Sequence, residues 1–211
     1  MLGGLQLAGD RPSEKDSRGS TMPAVPPRAL FHVAGPSLVV FSLAATGFVG
    51  YVKLGSWKWF SYHPAAMLLA YVAIAGNATL LKKIGGKENT ERHGVLMGLA
   101  TALALFGWYV IYTNKTAFNK PHNTSWHAWM GIAVLVGYML LAPLSWLTLN
   151  PTSGIFRTNK TFRALHKWMG RFLSVLAWLC CAVGWFNMNP DVLVRALFAV
   201  PLAVLAPLVF L

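Results

Sequence analysis

The chain is 211 residues long, 55% hydrophobic and only 11% charged, with a mean hydropathy of +0.50. Its 18 Lys+Arg against 6 Asp+Glu give a formal net charge of +12. Soluble domains carry about a quarter charged residues, so these values exclude a disordered chain, and also a soluble nucleic-acid binder in spite of the pI near 10.1.

A transmembrane helix needs about 20 apolar residues. Six such segments are predicted in chain order, at about 30–51, 63–81, 94–113, 127–148, 165–186 and 191–211. Residues 1–28, rich in Pro, Gly, Ser and charge, are expected to form a disordered tail ahead of a single six-span domain over 29–211. The first segment is too far in and too long for a signal peptide and is read as a retained span. The last ends at Leu211 with no basic tail, which suggests a shortened chain. Cys180 and Cys181 are adjacent within the fifth span, so no disulfide framework is indicated.

The basic residues set an expected orientation. Arg11, Lys15, Arg18 and Arg28 lie in the tail, Lys82, Lys83, Lys87 and Arg92 between spans 2 and 3, and Arg157, Lys160, Arg163, Lys167 and Arg171 around the start of span 5. Only Lys53, Lys58, Lys115, Lys120 and Arg195 fall on the other side. The positive-inside rule therefore puts the N-terminus and loops 2–3 and 4–5 in the cytosol. Asn114-Lys115-Thr116 and Asn123-Thr124-Ser125 read as outward glycosylation sequons. Asn77 fits the same pattern but lies within the bilayer, and Asn159 fits it on the cytosolic side.

Histidine carries the chemical signal. His63, His93, His127 and His166 open four consecutive spans, at separations of 30, 34 and 39 residues. Successive spans alternate in direction, so His63 and His127 share one membrane level and His93 and His166 the other. In an up-down-up-down bundle the parallel helices are diagonal neighbours, and each pair can face inward across the axis. Two imidazoles opposed in this way are the axial ligands of a six-coordinate haem. Two pairs give two haems inside spans 2–5, about residues 60–186. All four histidines are expected at helix N-termini, where the macrodipole favours the neutral ring. Gly94, Gly98, Gly131 and Gly170 would let a macrocycle approach the backbone, although Gly94 and Gly98 also read as a helix-packing GxxxG. His32 has no partner at a matching level and is read as an interfacial residue.

Two other readings stay open. A transporter would normally place carboxylates inside its spans, but the acids here are Asp10, Glu14, Asp16, Glu88, Glu91 and Asp191, outside the apolar stretches. A haem-free multi-span scaffold would leave the aligned histidines unexplained. Ferric-reductase domains and respiratory cytochromes b place two histidines on one helix, a pattern no span here contains.

The strings Phe60-Ser61-Tyr62-His63-Pro64, Glu91-Arg92-His93-Gly94, Ser125-Trp126-His127-Ala128-Trp129 and Ala164-Leu165-His166-Lys167-Trp168 resemble the cytochrome b561 family over roughly residues 30–211. The run Lys120-x-His122-x-x-x-x-His127 is similar to its short, cytochrome b561 domain-containing subgroup. The resemblance implies an oxidoreductase that carries electrons from cytosolic ascorbate through two haem b groups to monodehydroascorbate or a ferric chelate. By it, His93 and His166 hold the cytosolic haem and His63 and His127 the other. Lys82, Lys83 and either Arg157 or Arg163 take the places that bind ascorbate, and His122 resembles the outer substrate histidine. No further catalytic residue and no nucleic-acid partner is implied. The host is an endomembrane (ER or vesicle) or the plasma membrane, membrane lipid is the surrounding partner, and a homodimer is left open. Asn77-Ala78-Thr79-Leu80-Leu81-Lys82-Lys83 departs from the Tyr-Arg-containing end of helix 2 in the vesicle type.

Overall fold

The computed structural model describes residues 27–210. They form six helices long and apolar enough to cross a membrane: α1 (Arg28–Lys53), α2 (Trp59–Ile84), α3 (Lys87–Ala117), α4 (Trp126–Leu149), α5 (Lys160–Met188) and α6 (Val192–Phe210). An all-α, six-span integral membrane protein is the architecture expected. Of the predicted tail, Arg28 already belongs to α1, and residues 1–26 lie outside the described residues, as does Leu211.

Helices α1 to α5 outrun the apolar stretches, α3 and α5 most at their starts, and side-chain caps begin three of the six helices. Asp191 Oδ1 accepts the Val194 N–H at 3.0 Å, Asn159 Oδ1 accepts those of Thr161 and Phe162, and Ser125 Oγ accepts that of Ala128. At the start of α3 an Arg92–Glu88 pair supports a polar first turn. Asn159, one of the discounted sequons, is thus a helix cap, and Asn77 bonds the Gly35 carbonyl of α1 at 3.2 Å.

Helices α2 to α5 pack in sequence order, with α2 also touching α5, while α1 and α6 cover the α2/α5 side. The interior of the four is built from small residues (Ala70, Ala75, Ala100, Ala104, Ala177) around Tyr71, Tyr138, Val134 and Leu173. Small side chains let backbones approach closely in a membrane bundle. A second core joins α1 and α6 to α2 and α5, with Trp185 and Phe198 stacked at 4.4 Å.

The middle of α2, Leu68–Ile74, is wound as a π-helix. The Tyr71 carbonyl accepts the Trp178 indole N–H at 3.0 Å, and the Ala73 carbonyl accepts the Asn77 amide at 2.8 Å. Side-chain donors from within and outside α2 thus bond main-chain acceptors of the widened turn.

Candidate functional site

The four histidines come together as two pairs, His63 with His127 and His93 with His166. Their ring centres are 6.2 Å and 6.3 Å apart, and their planes cross at 84° and 87°. All four rings are half-buried.

Each ring is held by its Nδ1. His63 Nδ1–H donates to the Gly107 carbonyl at 2.9 Å, and His93 Nδ1–H to the Ala78 carbonyl at 2.9 Å. His127 Nδ1–H donates to the Cys180 carbonyl at 3.1 Å, and His166 Nδ1 bonds Ser145 Oγ at 2.8 Å. A carbonyl can only accept, so Nδ1 carries the proton and Nε2 is left for a metal, the arrangement that orients a ligating imidazole. The bonds are reciprocal. Each of α2 and α3 carries one histidine and the acceptor for the other's histidine, and α4 and α5 repeat the design. The core is therefore two helical hairpins, and each histidine pair takes one ring from each hairpin. From His63 to Ala78 is 15 residues, or about 22 Å of helix at about 1.5 Å per residue, so the two pairs stand near opposite faces of a bilayer core.

This geometry fits one metal between each pair. Two metal–nitrogen bonds of about 2 Å, with about 1.1 Å more from each nitrogen to its ring centre, put the centres about 6.2 Å apart. Among the described residues no cluster of three or more His, Cys, Asp or Glu side chains gathers, so neither pair completes a tetrahedral protein site. Two ligands on opposite sides suit an iron whose other four positions a porphyrin fills.

One expectation about the surroundings needs correction. His93 and His166 lie six residues inside α3 and α5, beyond the first turn where the helix dipole acts; the Nδ1 bonds, not the dipole, fix those rings. Gly98 and Gly170 face open space and Gly131 makes ordinary contact with Cys180. The close approaches are at Gly184, where a Cβ would stand 2.7 Å from Cε1 of His127, and at Gly107, beside Ala66 and the His63 carbonyl. Gly94 and Gly98 line an apolar cavity of about 530 Å³ with Met139, Pro143 and Trp146.

At the basic end, Lys82 is an electrostatic neighbour of His93, His166 and Arg163. Lys83 Nζ instead donates to the Leu208 carbonyl at 2.8 Å, and Arg157 donates to the Thr152 carbonyl at 3.2 Å. At the other end Lys115 neighbours both His63 and His127; the sequence reading used it only for topology. His122 stacks on the exposed Tyr112 of α3 at 4.5 Å, with Thr116 Oγ1 at 3.3 Å from its Nε2. His32 is exposed, as its lack of a partner implied.

A family model for eukaryotic cytochrome b561 matches residues 62–189, more than half of the chain and all four paired histidines. The chain belongs to the eukaryotic cytochrome b561 family. Membership of a b-type cytochrome family accords with the fit of the paired rings to haem. Among relatives, a Bos taurus protein named Transmembrane reductase CYB561D2 is 29% identical over 132 residues, 55% of this chain and 60% of its own length. An Arabidopsis thaliana protein named Transmembrane ascorbate ferrireductase 1 is 27% identical over 113 residues, 52% of this chain and 47% of its own. A human Transmembrane ascorbate-dependent reductase CYB561 is 28% identical over 132 residues, 58% of this chain and 53% of its own. The chain thus spans about half to three-fifths of the length of these b561 relatives.

Proposed function

We propose that this b561 protein is a transmembrane oxidoreductase that passes electrons from ascorbate at its basic, cytosolic end to an acceptor at the opposite end. The observation that carries the reading is the pair of imidazole couples at 6.2 Å and 6.3 Å. His93 and His166 would hold one haem b and His63 and His127 a second, and bound haem supplies the one-electron redox chemistry. Two histidines per iron leave no open coordination position, so the chain's task is to space the centres, keep them dry and dock the reductant.

Ascorbate is a monoanion, and the basic end concentrates cations around the His93–His166 pair. Lys82 and Arg163, both exposed, are the contacts best placed for it: Lys82 Nζ donates to the side-chain hydroxyl of Thr90, which can turn away, whereas Lys83 and Arg157 are engaged with main-chain carbonyls. Replacing Lys82 and Arg163 together with alanine raises the KM for ascorbate at least about tenfold, the scale of one lost charge-assisted contact. Reduction by a neutral chemical donor is unchanged. An unaltered ascorbate KM in the double variant would move the donor site elsewhere.

At the outer end the exposed His122 offers a hydrogen bond to monodehydroascorbate or a ferric chelate, and Lys115, whose Nζ donates to the Pro121 carbonyl at 3.1 Å, adds positive charge to the surroundings without a free contact. An inside-negative potential favours outward electron flow by about 2.3 kcal/mol per charge per 100 mV. Gly184 gives a local check on the outer pair. Gly184→Val drives a side chain into His127 and lowers haem content from two per chain to one, as read by the pyridine haemochrome. Retention of both haems by a folded Gly184→Val protein would mean that the His127 ring is not a ligand.

Proteoliposomes loaded with ascorbate test the whole reading. External ferric chelate or monodehydroascorbate is reduced only when the protein is present, and faster with a potential negative inside. Absence of transfer from a haem-replete protein would reject the proposed direction and donor.

A further inference from the structure

We infer that Ser145 is the positioning residue of His166: its hydroxyl holds that ring in one tautomer and plane and so sets the redox midpoint at the basic end of the bundle. This rests on the reading of His166 as an iron ligand. Three of the four imidazoles donate Nδ1–H to a main-chain carbonyl, which any residue at the position would supply. His166 alone among them has no main-chain acceptor at Nδ1 and depends on a side chain, Ser145 Oγ at 2.8 Å; Cys180 Sγ stands 3.5 Å from His127 Nδ1, but beside the shorter carbonyl bond. That hydroxyl lies half-buried on α4 and donates its own hydrogen to the Leu141 carbonyl one turn back, a common arrangement for a serine inside a helix. With its hydrogen committed, Ser145 can offer His166 only a lone pair. The proton therefore sits on His166 Nδ1, and Nε2 faces the metal unprotonated.

The consequence is electronic as well as steric. An acceptor on Nδ1–H increases the basicity of the opposite nitrogen, and such partners typically change metal affinity about 10- to 100-fold when removed. A more basic imidazole favours the ferric state. Ser145 is thus the one acceptor among the four that a side-chain substitution removes outright without touching the backbone, and it acts at the end where electrons are proposed to enter.

The test uses the intact haem-loaded protein with Ser145→Ala, Ser145→Val and Ser145→Thr, Val and Thr having the same shape and differing by the hydroxyl. Each is titrated potentiometrically and examined by low-spin EPR. The basic-end centre is identified as the one missing from His93→Ala. In the Ala and Val variants that centre's midpoint shifts upward and its EPR anisotropy changes as the ring turns more freely, while the outer centre stays put and Thr restores the native values. Selective loss of the basic-end haem from Ala and Val, retained in Thr, has the same meaning. Equal midpoints in Val and Thr, a shift of both centres, or haem loss in Thr as well would overturn the inference while leaving the haem assignment standing. A native protein that binds no haem would overturn both.

Discussion

Replacing His93 with alanine removes one haem and leaves the other. The pyridine haemochrome falls from two haems per chain to one, and ascorbate no longer reduces what remains from the basic side. His166→Ala gives the same phenotype, because its ring faces that of His93 with centres 6.3 Å apart. His63→Ala and His127→Ala also leave one haem, but that haem is still reduced by ascorbate and transfer to an outside acceptor falls to background. His32→Ala, at an exposed unpaired ring, changes nothing. Folded variants that each keep both haems would contradict the pairing, as would a His93 variant that loses the centre distant from the basic loops.

The pairing of the rings could be read from the sequence because each candidate ligand is a residue type and each occupies its own helix; a period near one helix plus one loop survives any local detail. What could not be read is how the rings are held. Gly107 and Ala78 contribute only their carbonyls, and Cys180 acts first through its carbonyl, with its Sγ 3.5 Å from the same nitrogen; a carbonyl leaves no mark on residue choice. Ser145 has a side chain to notice, but a helix serine usually bonds its own preceding turn, and its second partner lies 21 residues away. Hydropathy placed the spans within a few residues, yet it ended them where the apolar run ended and missed the polar turns beyond it. That error put His93 and His166 at helix starts when both lie six residues inside. Asn77 matched a sequon and in fact bonds α1 to α2. The π-turn of α2 depends on donors such as Trp178, 107 residues away from its acceptor, which no local pattern encodes.

Haem removal lowers the stability of the bundle more than any single side-chain change. Within each hairpin the helices are tied by their own histidine bonds, whereas each iron would tie one hairpin to the other through a ring from each. The haem-free chain therefore keeps two helical hairpins but loses the ties between them. A ligand present at about 1,000 times its dissociation constant stabilises by about 4.1 kcal/mol. For a domain of 150–250 residues a change of this size moves the melting temperature by about 10 °C. Haem-depleted protein in detergent melts at least that much lower than holoprotein, with little loss of helical circular dichroism beforehand. Identical melting of the two forms would mean that no cofactor bridges the hairpins.

The most direct test of the account is the haem content and axial ligation of the purified, haem-replete protein. It predicts two b-type haems per chain, both six-coordinate and low-spin, each with two nearly perpendicular imidazole planes. A colourless protein, or one carrying a five-coordinate high-spin haem, would contradict it.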